Sequence, residues 1–208
     1  MNILIVDDHA VVRLGLKQLV EEAYPYAKLE EAATGKDALG MMNRFRWDLV
    51  ILDVNLPDQN GIDLLKAMKT SHASIPVMML SLHPEEQYAL RALKAGAAAY
   101  LTKERAPEEL ATAIKQVIAG HKFITTTLAE RLATIVFSPI GQLPHECLSD
   151  REFQVLCAIG KGKTVSAIAG DLALSVKTVS TYRTRLLEKL QAKNTTDLIR
   201  YTVEHALV

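Results

Sequence analysis

Five polar side chains, each at the end of a short apolar run, are of types that could together carry out phosphoryl chemistry: Asp7, Asp8, Asp53, Ser81 and Lys103. If those apolar runs are parallel strands of one sheet, their carboxyl ends lie along the same edge and bring these groups together. Three converging carboxylates would repel one another and raise their pKa values, so a divalent cation is the natural compensation. Oxygen ligands with room for water and phosphate favour Mg²⁺.

Asp53 is the candidate nucleophile of this set. With Mg²⁺ bound, its carboxylate can attack a phosphoryl group while the metal, the Lys103 ammonium and the Ser81 hydroxyl hold the equatorial oxygens. A lone Asp at the end of a strand is usually a turn or cap residue, so the inference depends on the whole set. We interpret His9 as a residue that caps or solvates its loop, because Mg²⁺ prefers oxygen. His83 either flanks the path of water that attacks the phosphoaspartate or is simply exposed to solvent.

The elements that must position these groups alternate short apolar runs with segments of helical periodicity. This alternation is typical of a parallel sheet covered on both faces. It predicts a doubly wound (βα)₅ fold with strands at Ile3–Val6, Lys28–Ala32, Leu49–Leu52, Val77–Leu80 and Ala98–Leu101. The helices between and after the strands are predicted at Val11–Ala23, Gly35–Arg44, Gly61–Thr70, Pro84–Ala95 and Pro107–Ala119.

The pattern becomes irregular after residue 120 and then wholly helical. A short helical stretch is expected near Leu128–Val136, and the following cluster of Pro139, Gly141 and Pro144 indicates a linker. A small all-α domain follows, with helices predicted at Ser149–Ile159, Thr164–Leu172, Ser175–Leu190 and Thr195–Ala206. Ser175 is a candidate N-cap, and Ser149 with Glu152 forms a candidate capping box.

Composition and charge favour a globular protein of two domains. The chain has 208 residues, of which 49% are hydrophobic and 23% charged, and a domain usually takes roughly 100–200 residues. No apolar stretch is long enough to span a bilayer and the start lacks a signal pattern, so a cytosolic location is expected. Cys147 and Cys157 are interpreted as ordinary thiols.

The zero net charge divides into −3 for residues 1–147 and +3 for residues 148–208, which favours a nucleic-acid partner for the second part.

The third helix of that second part, Ser175–Leu190, has two contrasting faces. Val179, Tyr182, Leu186 and Leu190 form an apolar stripe, and the opposite stripe carries short hydroxyl groups and a lysine: Lys177, Ser180, Thr181 and Thr184. Such a face suits the major groove of DNA, where Ser and Thr can reach base edges while Arg183 and Arg185 hold phosphates. Taken alone, a polar face of this kind is usually only solvated surface.

Several motifs of residues 1–120 resemble the receiver domains of two-component response regulators. They are Val6-Asp7-Asp8-His9, Leu52-Asp53-Val54-Asn55-Leu56-Pro57 with Gly61, Leu80-Ser81, and the run from Lys94 to Tyr100 that continues to Lys103. The resemblance implies that Asp53 takes a phosphoryl group from a sensor histidine kinase. It also implies that Mg²⁺ is held by Asp7, Asp8, Asp53 and the Asn55 carbonyl, and that Ser81 and Tyr100 form a switch pair. Glu104 stands where many relatives have a proline.

The C-terminal motifs resemble the LuxR-type helix-turn-helix. They are the run from Leu148 to Leu156, Ile168-Ala169, Leu174-Ser175-Val-Lys177-Thr178-Val179 and Lys189-Leu190. Joined to a receiver, this is similar to the NarL/FixJ class of response regulators, with a receiver at 1–120, a linker at 121–147 and a DNA-binding domain at 148–208. The resemblance implies a homodimer on promoter DNA and groove-facing residues that match Lys177, Ser180, Thr181 and Thr184, beside Thr178.

Two other functions remain possible from the residues. A phosphohydrolase of the haloacid-dehalogenase type also uses an aspartate nucleophile, Mg²⁺, a Ser or Thr and a Lys. It requires a second Asp as general acid, and that position is Asn55, which cannot exchange a proton near neutral pH. A receiver with an RNA-binding or protein-binding output is the other alternative. We expect a transcription factor that is not an enzyme.

Overall fold

The computed structural model describes residues 1–137 and 143–208, with the side chains of Glu86, Gln87, Arg131, Leu132 and residues 134–137 left out. The chain divides into two compact units, Met1–Val136 and Phe137–Val208. Pro139 and Gly141, on which the linker prediction partly depends, lie outside the described residues.

The first unit is built on a five-stranded parallel sheet in the order β2-β1-β3-β4-β5. Its strands are β1 Asn2–Val6, β2 Lys28–Ala32, β3 Leu49–Asp53, β4 Val77–Ser81 and β5 Ala99–Thr102. In register, Val6 pairs with Leu52 and Asp53 pairs with Leu80. The ends of β1, β3 and β4 therefore lie side by side, as predicted from the apolar runs.

Helices cover both faces of the sheet, which confirms the doubly wound fold. They are α1 Ala10–Ala23, α2 Gly35–Met42, α3 Gly61–Ser71, α4 Glu85–Lys94 and α5 Ala106–Ile118. On one face, Leu16 and Val20 of α1 and Leu110 and Ile114 of α5 join a buried cluster with strand residues such as Ile51. Strands β3 and β4 are fully buried, which explains their nearly continuous apolar runs in the sequence.

Two turns of the first unit depend on glycine, one beside the acidic residues and one at the opposite edge of the sheet. Gly61 begins α3 directly against β3, with its N–H donating to the Val54 carbonyl over 2.8 Å. A Cβ at Gly61 would lie only 2.0 Å from the Asp53 carbonyl oxygen, so no other residue fits there without moving the end of the strand. Gly96 ends α4 with a φ of 102°, a conformation that side chains disfavour.

Helix α2 ends at Met42, two residues earlier than predicted. The indole N–H of Trp47 donates to the Met41 carbonyl over 3.1 Å and so satisfies one of the last carbonyls of the helix. The main-chain N–H groups of Arg44 and Phe45 donate to the same carbonyl, so the helix ends in a local turn that apolar periodicity does not reveal.

The segment after α5 stays attached to the sheet. Phe123 N–H donates to the Ala98 carbonyl over 3.0 Å, and helix α6 then runs over Thr126–Phe137. Thr125 begins this helix by accepting the Leu128 N–H on its hydroxyl. The predicted linker region 121–147 therefore contains a longer helix than the stretch expected near Leu128–Val136.

The second unit contains a 3₁₀ helix and four α-helices: Pro144–Cys147, then α7 Asp150–Gly160, α8 Val165–Asp171, α9 Val176–Lys189 and α10 Thr195–Glu204. The predicted capping box is present at Ser149 and Glu152, and the Ser175 hydroxyl caps α9 by accepting the Thr178 N–H. Helix α9 packs on α7 and α8 through Val179 and Leu186, both fully buried. None of the helices in the described part of the chain combines the length and apolar character that crossing a membrane requires.

Candidate functional site

The acidic residues predicted to converge lie together at the carboxyl edge of the sheet. Asp7 and Asp8 follow β1, and Asp53 is the last residue of β3. Each of these residues, and His9 with them, offers a ligand atom within 4.8 Å of the others. Asp7 and Asp53 are almost fully buried, with 1% and 3% of their surface exposed.

Lys103 bridges two of the carboxylates. Its Nζ lies 2.6 Å from Asp7 Oδ2 and 2.8 Å from Asp53 Oδ2. Burial alone would lower the pKa of Lys103, but Asp53 and Asp7 raise it above the ordinary value. The ammonium therefore stays charged and compensates two buried negative groups.

The other oxygen of Asp53 differs from the first. Asp53 Oδ1 is buried and has no hydrogen-bond partner among the described residues. Burial raises the pKa of Asp53 to about 6, against the lowering influence of Lys103. A buried carboxylate oxygen without a partner is costly, so this atom marks the point where a cation or a reacting group would be stabilised.

The donor set fits Mg²⁺. Carboxylates of Asp7, Asp8 and Asp53 supply hard oxygen ligands of the kind that Mg²⁺ prefers, and Asp53 Oδ1 is an orphaned buried acceptor among them. Asn55 follows Asp53 by two residues, and its side-chain Nδ2 lies 3.1 Å from His83 Nε2. That contact engages the side-chain amide of Asn55. The metal-binding role predicted for Asn55 therefore belongs to its main-chain carbonyl.

The predicted switch residues meet at the backbone of His83. Its N–H donates to the Ser81 hydroxyl over 3.0 Å, and its carbonyl accepts the Tyr100 hydroxyl, also over 3.0 Å. Ser81 and Tyr100 are both buried. No peptide bond in residues 1–137 and 143–208 is cis, so the Lys103–Glu104 peptide is trans.

Both histidines near the site have specific contacts. The His9 side chain makes no capping hydrogen bond to α1; its Nδ1 lies 2.7 Å from Asp8 Oδ1. The His83 ring packs on Tyr88 with ring centroids 4.8 Å apart and contacts Asn55, so it is a half-buried part of the site edge and is not simply exposed.

The predicted DNA-reading face of α9 is largely open to solvent. Lys177, Thr181, Thr184 and Arg185 are exposed, whereas Thr178, Ser180 and Arg183 are half-buried. The hydroxyls of Thr181 and Thr184 donate to the helix carbonyls of Lys177 and Ser180, over 3.0 and 3.2 Å. The two-faced helix expected from periodicity is therefore present, and its DNA contacts stay a prediction.

Sequence reasoning missed three contacts around these sites. Arg13 reaches the Asp7 carbonyl. The Thr125 hydroxyl donates to the buried Glu85 carboxylate over 2.5 Å. His145 Nδ1 lies 3.0 Å from the Tyr201 hydroxyl, which joins the 3₁₀ helix to α10. Each pair spans a long sequence separation, or uses a backbone atom, and leaves no periodic signal.

Comparison with known proteins shows the same two-part organisation. Residues 3–115 match the response regulator receiver domain, and residues 146–202 match the bacterial regulatory proteins of the luxR family. The chain is 33% identical over 208 residues to response regulator UvrY of Escherichia coli, covering 100% of this chain and 95% of that protein. It is 34% identical over 209 residues to response regulator GacA of Pseudomonas aeruginosa, covering 100% and 98%.

A solved structure gives the same result for the fold. The RcsB response regulator of Salmonella typhimurium, described for its conformational dynamism in DNA interaction, matches with a TM-score of 0.60 and 25% identity over 98% of each chain. The two family matches agree with the receiver motifs, the acidic site and the helix-turn-helix motifs. The relatives cover this chain completely and show the same order of domains. The chain therefore belongs to the two-component response regulators of the NarL/FixJ class, which join a receiver domain to a LuxR-type DNA-binding domain.

Proposed function

We propose that this response regulator accepts a phosphoryl group on Asp53 from a sensor histidine kinase and thereby controls transcription. The observation that carries the proposal is the asymmetry of the Asp53 carboxylate. Lys103 holds Oδ2 at 2.8 Å, whereas the buried Oδ1 has no hydrogen-bond partner in the described part of the chain. Oδ1 is therefore the oxygen that lies open to a cation or to a reacting group.

In the proposed reaction, one carboxylate oxygen of Asp53 forms a bond to phosphorus as the bond from phosphorus to the donor's imidazole nitrogen breaks, and the other oxygen stays available to Mg²⁺. Asp7, Asp8, Asp53 and the Asn55 carbonyl would hold Mg²⁺, which supplies charge neutralisation for the phosphoryl oxygens when bound. Lys103 and the Ser81 hydroxyl then donate to oxygens of the new phosphoryl group. Phosphorylation adds about −1.5 to −2 charge, so these donors decide how the surrounding loops respond.

For the output we propose that α9 reads promoter DNA in the major groove and that a homodimer binds two half-sites. The exposed Lys177, Thr181 and Thr184 would face base edges beside Thr178 and Ser180, while Arg183 and Arg185 would hold phosphates. The charge of +3 for residues 148–208 supports a polyanionic partner. Residues 121–147 would connect a receiver of residues 1–120 to this domain. The proposed function belongs in the cytoplasm, where bacterial DNA lies.

Phosphorylation can be tested with acetyl phosphate and Mg²⁺ on a phosphate-affinity gel. The parent protein should shift, Asp53→Asn should not, and Asp58→Asn should shift like the parent. Asp58 is a matched control because it lies close to Asp53 in the chain and instead accepts the N–H groups of Gly35 and Lys36. Undiminished labelling of Asp53→Asn would refute the phosphoacceptor assignment.

The output can be tested by selecting bound duplexes from a random DNA pool with the phosphorylated protein, with RNA as competitor. Enrichment of a two-fold symmetric DNA site is expected. Preferential retention of RNA would favour the alternative output. Turnover of a generic phosphate ester beyond one equivalent would favour the hydrolase alternative, which Asn55 argues against because it cannot act as a general acid.

A further inference from the structure

We propose that Arg13 is a positioning residue for the metal site, because it fixes the main chain from which Asp7 and Asp8 project. This inference rests on the proposed function, since it concerns Mg²⁺ binding at the same carboxylates. Arg13 lies on the first turn of α1, outside the carboxylate cluster itself.

The guanidinium of Arg13 makes two directed contacts. Nη1 donates to the Asp7 carbonyl oxygen over 2.7 Å, and Nε donates to Glu31 Oε2 on β2 over 3.0 Å. The Arg13 side chain is only 16% exposed. A planar guanidinium held at two edges has little freedom to rotate, so β2, α1 and the loop after β1 are joined at one point.

Several polar groups of Asp7 besides its carbonyl also have neighbours that hold them. Its Oδ1 accepts the His9 N–H over 2.9 Å, its Oδ2 lies 2.6 Å from Lys103, and its N–H donates to the Ala32 carbonyl. Arg13 holds the carbonyl. That carbonyl belongs to the peptide that joins Asp7 to Asp8, so Arg13 sets the orientation of this peptide plane.

Asp8 depends on that plane more than Asp7 does. Its side chain is 34% exposed, and the contact of its carboxylate is with His9, which is itself 61% exposed. An imidazole this exposed to solvent is a weak anchor. The direction in which Asp8 presents its carboxylate is therefore determined mainly by the backbone that Arg13 holds.

The sign of the effect distinguishes positioning from simple electrostatics. Arg13 is a cation near a cation site, so its charge alone disfavours Mg²⁺, and removing it would tighten binding. Loss of a group that orients metal ligands typically weakens metal affinity by about 10–100-fold. Arg13→Gln is expected to weaken Mg²⁺ binding by about tenfold, opposite to the electrostatic effect.

Lys17 offers a matched control. It lies one turn further along α1 and also pairs with Glu31, its Nζ 3.4 Å from Oε1, whereas Arg13 in addition reaches the Asp7 carbonyl. Lys17→Gln removes the same charge from the same carboxylate partner. It should leave Mg²⁺ affinity unchanged or slightly tighter.

The experiment is an NMR titration of the full chain with MgCl₂ at constant ionic strength, comparing parent, Arg13→Gln and Lys17→Gln. Asp8→Ala serves as the reference for a damaged site. Thermal unfolding in EDTA checks that each variant folds. If Arg13→Gln does not fold, Arg13→Lys keeps the charge and most of the stem but cannot make both contacts, and weaker binding is again expected.

Parent-like or tighter Mg²⁺ binding by a folded Arg13→Gln would overturn the positioning role while leaving the proposed function intact. Absence of Mg²⁺ binding by the parent would instead overturn the proposed function. Equal weakening in Lys17→Gln would also count against the inference, because it would assign the effect to charge or to Glu31.

Discussion

Lys189 Nζ lies 2.7 Å from Glu152 Oε2, and this ion pair joins the end of α9 to the capping box at the start of α7. Glu152 is buried and Lys189 is about half exposed. Burial alone would raise the pKa of Glu152, but Lys189 and the Ser149 N–H lower it below its usual value. The carboxylate thus serves two helices at once and fixes how α9 lies on the scaffold.

Lys189→Ala should destabilise the C-terminal unit by about 1–2 kcal/mol, less than a fully buried pair because Lys189 is half exposed. The folded pKa of Glu152 lies below its ordinary value. In the parent, the stabilisation from this pair is therefore present above about pH 4.5 and is lost as the pH falls below that value. Urea unfolding at pH 7 and pH 3.5 measures both effects. Lys193→Ala, at an exposed lysine four residues further on, should change neither.

Asp53 should make the stability of the metal-free protein depend on pH with a sign opposite to that of the Glu152–Lys189 pair. Its folded pKa of about 6 exceeds the ordinary 3.8, so folding favours the protonated form. Stability is then lost as pH rises from about 4 to 6, by up to about 3 kcal/mol. Asp53→Asn should remove this loss, which urea unfolding in EDTA at pH 4.5 and 7 can detect. Parallel curves for parent and variant would contradict the prediction.

Lys103→Ala and Ser81→Ala should weaken the link between phosphorylation and DNA binding more than they weaken folding. Both groups are placed to donate to the phosphoryl oxygens. The conformational response to phosphorylation needs hydrogen-bond donors of this kind for the added negative charge. The measurement is the ratio of DNA affinities with and without phosphorylation, expected at about 5–150-fold in the parent. Variants that keep the parent's ratio would show that these donors are not part of the switch.

Thr125→Val should destabilise the first unit by about 1–3 kcal/mol. The substitution keeps the shape of the side chain but removes the hydroxyl that donates to the buried Glu85 carboxylate and accepts the Leu128 N–H. Thr125→Ser keeps the hydroxyl and should lie close to the parent. Hydrogen exchange at Leu128 reports on the helix cap, and unchanged protection in Thr125→Val would argue against this role.

A fragment of residues 143–208 should bind DNA without the receiver, with affinity that falls steeply with salt as counterions are released. It should begin at Leu143, before the 3₁₀ helix, because His145 contacts Tyr201 of α10. Arg183→Ala should weaken binding to all sequences, whereas Thr181→Ala should mainly blur preference at one base position, by about 1–3 kcal/mol. Fluorescence anisotropy with the selected duplex and a scrambled duplex separates the two effects.

The acidic site could be predicted because strand ends are visible in the sequence. Asp7, Asp53 and Ser81 each end an apolar run, and parallel strands must present those ends at one edge. The two faces of α9 could be predicted for a similar reason, since Val179 and Leu186 repeat at helical spacing and both are buried.

The supporting contacts could not be predicted in this way. Arg13 binds a main-chain carbonyl, and any residue type at position 7 would present the same atom. Glu85 and Thr125 are forty residues apart and meet only because α4 and the segment after α5 are neighbours in the fold. Such contacts depend on tertiary geometry, which neither periodicity nor local capping signals encode.

The attachment of the segment after α5 bears on where a receiver of this kind can be joined to a different output domain. A recombination junction at residue 120 would separate Phe123 from its partner Ala98 and leave the Glu85 carboxylate without the Thr125 hydroxyl. A junction after residue 136, where the first compact unit ends, would transfer both contacts together with the sheet. A functional chimera should therefore keep α6 together with its receiver. The segment to be transferred then extends about twenty residues beyond the 3–115 segment matched to the receiver family.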